Sequence, residues 1–427
     1  MSAAIIFILL ATLMLTGMPV SISLGLTVLI FLFGFTEVPL EAVALKLFTG
    51  IEKFEIMAIP FFILAGNFLT HGGVARRMIN FATSMVGHWR GGLGLSSVFA
   101  CALFAAVSGS SPATVVAIGS IMLPAMVRAG YPKRFGVGVI ASSGGLGILI
   151  PPSIVMVMYA VSTNSSIGAL FMAGVIPGLL LALFLGLTTW YRAWRGNYPR
   201  ERAHSWGERW QAFRKSVWGL LLVIVVMGGI YSGLFTPTEA AAMSAVYAFV
   251  IAVFVYGDLK FSDVPRVLLN SANMSAMLLY IITNAVLFSF ILTNEQIPQG
   301  VAEWILASGL GVIGFLIVVN ILLLVMGSFM EPSSIILITA PILFPIAMKL
   351  GIDPIHFGIM IVVNMEIGMI TPPVGLNLYV ASGISKMGLT ETSISVLPWL
   401  FTMLVFLMLI TYVPEITLWL PRTLGML

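Results

Sequence analysis

Charge is what this sequence has least of. Asp, Glu, Lys and Arg make up 8% of its 427 residues, against roughly 25% in soluble globular domains, which excludes an ordinary water-soluble protein. Cysteine is almost absent too. Cys101 stands alone, so an internal disulfide framework and a cysteine metal site are both excluded. The four histidines (His71, His88, His204 and His356) show no metal-ligand spacing, and nothing supports a metal-dependent or nucleophilic catalyst; the chain reads as no enzyme. No Gly-Lys-Ser/Thr follows a strand, so there is no phosphate-binding loop for ATP. The net charge of +4 is no footprint of nucleic-acid binding, because seven of the 20 Lys and Arg crowd into one segment: Arg192, Arg195, Arg200, Arg202, Arg209, Arg214 and Lys215.

What remains is apolar. Hydrophobic residues make up 59% of the chain, in long continuous runs between short polar breaks. A run of about 20 apolar residues crosses a bilayer as a helix, whereas a barrel would show alternating segments of about 10 residues. The fold class is therefore an all-α polytopic membrane protein. Expected spans in the first half are 4–34 (long or broken), 54–70, 93–106, 112–127, 135–150 and 169–191. In the second half they are 217–234, 239–256, 274–292, 304–325, 333–349, 356–370 and 397–413. The apolar start, Ala3 to Phe35, has no basic region ahead of it and no small-residue cleavage site, so it reads as a retained helix. The basic segment, with its Trp and Tyr residues, reads as a topological anchor, since short basic loops face the cytoplasm.

The runs are punctuated twice in the same register. Pro124 is followed by Gly130, Gly147, Pro151 and Pro152; Pro345 is followed, at identical spacings, by Gly351, Gly368, Pro372 and Pro373. Ser111-Pro112 and Glu331-Pro332 lie upstream, one residue out of step. An ancestral duplication explains this, with repeat one at 1–192, a basic cytoplasmic linker at 193–215 and repeat two at 216–427. Residues 96–127 turn around "SGSSP" and 312–349 around "GSFMEP". Both segments are too short for two ordinary spans and a loop, so they are expected to be re-entrant hairpins. Non-helical backbone at membrane depth survives only where protein or water covers it. If each repeat crosses the membrane an odd number of times, the two are inverted, and a site forms between them near mid-membrane.

The polar residues that could carry function cluster at these breaks. "AVSGSSPAT" places Ser108, Ser110, Ser111 and Thr114 around Gly109 at a helix end. Hydroxyls and freed carbonyls of discontinuous helices coordinate Na⁺, and half-helix N-termini favour anions. "GGLGILIPPS" and "IGMITPPVGLN" form the matched second breaks, 147–152 and 368–375, where a Pro-Pro pair leaves carbonyls one turn upstream without donors. Thr371 adds a hydroxyl there and Asn377 an amide. Intramembrane carboxylates are functional hypotheses by default, and three stand out. Glu239 follows "TPT", which reads as Thr236 or Thr238 capping a helix with an acid in its first turn. Glu331 is placed to do the same before Pro332. Glu366 sits mid-helix, where a proton-linked or cation-linked role and a plain buried acid both stay open. No Arg or Lys lies inside either break.

Five motifs in order carry a family resemblance: "IPFFILAGNFL", "GHWRGGLG", "SGSSPAT", "FTPTEAAA" and "NMEIGMITPPVGLNLYV". On these the chain resembles, along nearly its whole length, the large membrane subunit of the TRAP (tripartite ATP-independent periplasmic) transporters. The resemblance implies a bacterial inner-membrane importer of organic acids, such as C4-dicarboxylates or sialic acids, driven by the Na⁺ gradient and using no cofactor. It implies two partners, a periplasmic substrate-binding protein and a small four-helix membrane subunit, and an elevator-type fold of two inverted repeats with two re-entrant hairpins. Carried over residue by residue, it places one Na⁺ site at Ser108, Gly147, Ile150 and Pro152, and a second at Gly327, Gly368, Thr371 and Val374. Relatives can place a serine at the position of Ala105, a departure at the first site for which Ser110 or Ser111 could substitute. The carboxylate substrate is expected near Ser110, Ser111, Thr114 and Asn377. Two other readings stay open: a receptor-independent organic-anion/Na⁺ symporter of related fold, and a non-transporting scaffold of a membrane complex.

Overall fold

The computed structural model describes residues 2–36, 39–307, 309 and 311–427. These are helical throughout, with no strand among the described residues. Helices α1 (Ser2–Leu15), α2 (Val20–Phe35), α3 (Leu40–Thr49), α4 (Ala58–His71) and α5 (Val74–Val86) lead into a hairpin of α6 (Gly92–Ser108) and α7 (Ser111–Arg128). A broken helix follows as α8 (Lys133–Ser143), α9 (Leu146–Leu149) and α10 (Ile154–Thr163), and then the long α11 (Ile167–Arg195). The second series runs α12 (Trp206–Tyr231), α13 (Pro237–Val250), α14 (Val264–Asn294) and α15 (Ile297–Ala307). It continues with a hairpin of α16 (Gly311–Gly327) and α17 (Pro332–Lys349), a broken helix α18 (Pro354–Gly368) and α19 (Leu376–Ser385), the long α20 (Leu389–Tyr412) and a short α21 (Glu415–Thr423). Eight helices among the described residues are long and apolar enough to cross a bilayer, and the α8–α10 stretch, bent by 41° at its break, brings this to nine.

Local chemistry sets the helix boundaries. Thr236 and Glu239 form a capping box at the start of α13: the Thr236 N–H donates to Glu239 Oε2 at 2.8 Å, and the Glu239 N–H donates to Thr236 Oγ1 at 3.3 Å. Thr238 donates instead to the Phe54 carbonyl at 3.4 Å, so Thr236 is the cap. The linker is shorter than its charge suggests. Ser205 and Glu208 form a second capping box, which starts α12 inside the basic stretch, while α11 runs on through Arg195. Arg and Glu are good helix formers, so only 196–205 is non-helical rather than 193–215. This segment is held down: the Tyr131 hydroxyl donates to the Pro199 carbonyl at 2.7 Å and the Glu201 N–H to the Gly87 carbonyl at 3.1 Å.

Two expected spans are broken. The apolar start divides at Gly17, whose φ of +84° is a left-handed conformation open mainly to glycine. The 304–325 span divides between α15 and α16; residues 308 and 310 of that span lie outside the described residues.

The two series pack in matching ways. Helix α4 lies on α13 as α2 lies on α14. The half-helices beyond the breaks cross over: α10 packs on α17 of the second hairpin, and α19 packs on α7 of the first. The long helices α11 and α20 lie against one another. These reciprocal contacts set each half-helix beyond a break against the hairpin of the other repeat.

Candidate functional site

The first hairpin turns on Gly109. Its φ of +60° ends α6 in the left-handed region, and its N–H returns to the Ala105 carbonyl at 3.1 Å. The hydroxyls of Ser108 and Thr114 hydrogen bond across the turn at 2.9 Å, and Thr114 also donates to the Ser110 carbonyl at 2.9 Å. This turn sits directly on the first break. A β-carbon on Gly147 would lie 2.6 Å from the Ser110 carbonyl oxygen, and one on Gly109 would lie 2.8 Å from that of Pro152. Glycine is required at both positions because backbone meets backbone.

The break itself follows from chemistry. Pro151 and Pro152 have no N–H to donate to Gly147 and Ile148. Ser153 repairs one loss, its hydroxyl donating to the Ile148 carbonyl at 2.6 Å, and then caps α10. The Gly147 carbonyl gains no such replacement from Pro151. Ser108, Gly147 and Pro152 therefore come together at one place. Ile150 stands at the break with its side chain turned away, against Gly178 of α11.

The second hairpin docks on the second break in the same manner. Gly327 and Gly368 touch backbone to backbone: a β-carbon on Gly368 would lie 2.6 Å from Gly327 Cα. The Ser328 carbonyl accepts the N–H groups of both Val374 and Gly375, each at 3.1 Å. Thr371 donates its hydroxyl to the Ile367 carbonyl at 2.7 Å, and its oxygen keeps its acceptor lone pairs. Gly375, at φ +52°, turns the chain into α19. The structure thus brings Gly327, Gly368, Thr371 and Val374 together. Both Pro-Pro bonds, 151–152 and 372–373, are cis.

The repeats are joined at the centre. The Asn377 side-chain amide donates to Ser111 Oγ at 2.7 Å and to the Ala141 carbonyl at 3.4 Å. Ser111, Thr114 and Asn377 are fully buried, so of the four residues expected near a substrate only Ser110 keeps accessible surface. Glu366 is fully buried and presses on Gly145, whose β-carbon would lie 2.6 Å from Glu366 Oε1. Neither Glu366 oxygen has a hydrogen-bond partner among the described residues. Glu331 is a cap: its carboxylate accepts the Ser333 N–H and the Ser334 hydroxyl, both at 3.1 Å. Glu239 is a cap as well.

Two residues that sequence reasoning passed over matter here. Ser328 clamps the second break through its carbonyl; its place inside "GSFMEP" was the available signal. Asn364 donates to Asn320 Oδ1 at 2.6 Å and Asn320 to Thr411 at 3.1 Å, tying α18 to α16 and α20. Asn364 opens the "NMEIG" motif, but the identity of its partners depends on packing.

Comparison with known proteins bears on this arrangement. The family described as "Tripartite ATP-independent periplasmic transporter, DctM component" matches residues 7–416. The C4-dicarboxylate TRAP transporter large permease protein DctM of Rhodobacter capsulatus is 71% identical over 100% of both chains. Its namesake in Pseudomonas aeruginosa is 55% identical over 95% of each. A crystal structure of the YdaH transporter of Alcanivorax borkumensis, described as having an unusual topology, covers 90% of this chain and 89% of its own with a TM-score of 0.64 at 15% identity. That likeness is one of fold. The chain is a multi-pass inner-membrane transport component rather than an enzyme, and it belongs to the DctM family of large permease subunits of tripartite ATP-independent periplasmic transporters.

Proposed function

We propose that this chain is the Na⁺-coupled permease subunit through which a C4-dicarboxylate is imported, working with a periplasmic substrate-binding protein and a small membrane subunit. The names of the relatives at 71% and 55% identity support the substrate class. One observation carries the ion coupling: each hairpin turn is seated on its own Pro-Pro break, so that the same kind of oxygen-rich cluster is built twice. Ser108 Oγ and the carbonyls of Gly147, Ile150 and Pro152 form the first Na⁺ site; Thr371 Oγ1 and the carbonyls of Gly327, Gly368 and Val374 form the second. With no Arg or Lys in either break, a dicarboxylate is held by half-helix N-termini, by Ser110 and by the bound cations themselves. Ser111, Thr114 and Asn377 act from behind, fixing the first turn against the second break.

The energetics favour this direction of transport. Each net positive charge moved inward along the membrane potential contributes about 2.3 kcal/mol per 100 mV, so a dianion accompanied by more than two Na⁺ is drawn into the cell. Movement is of the elevator type: the hairpins, the broken helices, α11 and α20 shift as one body against α1–α5 and α12–α15, in two inverted repeats.

Reconstitution tests the reading. Proteoliposomes holding this chain with its small subunit should accumulate succinate or malate only when an inward Na⁺ gradient and the loaded binding protein are both present. Uptake by this chain alone, with neither partner, would make it a receptor-independent symporter. Uptake indifferent to Na⁺ would remove the coupling.

A further inference from the structure

A second polar site lies at the edge of the protein, well away from the breaks. The start of α5, the polar end of α12 and the turn following α13 border an open pocket of about 430 Å³ lined by Arg76, Arg77, Arg214, Lys215, Trp218 and Tyr256. Four cations face it against one carboxylate. Asp258 pairs with Arg76 at 3.2 Å and with Arg77, whereas Arg214 and Lys215 are exposed and form no ion pair among the described residues.

This wall is built. The π-helical turn Ile251–Val255 ends α13 and hands over to Tyr256, whose hydroxyl donates to the Lys215 carbonyl at 2.8 Å. The Arg77 guanidinium stacks 3.7 Å from the centre of the Tyr256 ring. Gly73, at φ +70°, lets the α4–α5 turn close onto Asp258. An anchor that served topology alone needs no such fixed arrangement of Tyr256, Arg77 and Asp258.

Its depth is set by the sequence. Continuous apolar residues of α12 begin at Val217, one residue past Lys215, and Trp218 is placed as an interfacial aromatic. The basic 196–205 segment lies on the same side, which the positive-inside rule makes cytoplasmic. Next to Val255, which lines the pocket, exposed apolar residues follow at Phe254 of the π-helical turn and at Val250, Val246 and Met243 of α13, at helical spacing. A polar pocket rich in cations, at headgroup level and continuous with a lipid-facing stripe, matches a molecule with a phosphate at one end and acyl chains at the other. Basic pockets between membrane helices on the cytoplasmic side bind such headgroups.

We propose that this cavity binds one anionic phospholipid, its phosphate between Arg214, Lys215 and the Arg76–Arg77 pair and its chains along α13. Native mass spectrometry of the delipidated protein, titrated with phosphatidylglycerol, tests this. The wild type should retain one molecule. Arg214→Gln/Lys215→Gln should bind about thirtyfold more weakly, the ratio expected for two surface cations, while Arg195→Gln/Arg200→Gln, which removes the same charge from the linker side, should bind as the wild type does. Retention by the wild type should also fall as salt rises. Equal retention by the Arg214/Lys215 variant, equal retention of phosphatidylcholine, or displacement of the lipid by equimolar soluble glycerol phosphate would each overturn the assignment, the last by pointing to a soluble anion instead.

Discussion

Ile150 to Ser153 and Met369 to Gly375 occupy equivalent places in the two halves of the chain, yet every residue of the first break is buried while Pro372 and Pro373 of the second are exposed. The same dipeptide opens both helices, and the difference lies in how each opening is closed. In the first, Ser153 replaces a lost backbone donor and caps the next helix at once, and Ile150 packs on Gly178 of α11. In the second, the chain runs further before α19 begins, and it is closed by the Ser328 carbonyl of the facing hairpin and by the Asn377 N–H, which donates to the Met369 carbonyl at 2.9 Å. One copy of the duplicated device has become a sealed joint and the other an accessible one.

The sharpest way to break this comparison is to force a side chain into the sealed joint. Gly147→Val should drive its side chain into the Ser110 carbonyl, abolish Na⁺-dependent uptake and lower stability by about 1–3 kcal/mol, the usual range for overpacking, as read by thermal unfolding in detergent. Asn377→Ala comes next, because it removes a buried link between the two breaks' surroundings and leaves buried groups of Ser111 and Ala141 without that donor. A loss of about 1–3 kcal/mol is expected, with uptake reduced. If Asn377→Ala unfolds and transports as the wild type does, the two halves are not coupled there. Thiol labelling sharpens the comparison directly, since Cys101 is buried. Val374→Cys should react with a water-soluble maleimide several-fold faster than Ile150→Cys, and equal rates would show the first break to be open. The smallest effect is expected at a cap outside both breaks: Thr236→Ala should cost about 1 kcal/mol of stability and leave the Na⁺ dependence of uptake unchanged.

Much of this was legible because proline and glycine act locally. Pro151-Pro152 and Pro372-Pro373 forbid particular hydrogen bonds wherever they occur, and Gly109 permits a turn that other residues resist. Breaks, hairpins and a capped helix start before Glu239 could therefore be read directly, with Thr236 and Thr238 both open as the cap. The crossing of α10 onto α17 and of α19 onto α7 could not, because it joins residues hundreds of positions apart through shape alone. That crossing is what turns Ser111 and Asn377 from open ligands into a buried link. The start of α12 was hidden for a different reason: a dense basic run looks like a loop, while the capping box Ser205–Glu208 inside it starts a helix. Glu331 was correctly placed at a helix start, whereas Glu366 gave no local sign that its neighbour would be a glycine of the other half.

Each hairpin turn and its facing break are proposed to form one Na⁺ site. The most direct test is the Na⁺ concentration dependence of receptor-driven uptake in proteoliposomes for Ser108→Ala, Thr371→Ala and the control Thr371→Ser. Both alanine variants should need several-fold more Na⁺ for half-maximal uptake, and Thr371→Ser should stay close to the wild type. If Ser108→Ala and Thr371→Ala both keep the wild-type Na⁺ dependence, the paired-site account is wrong.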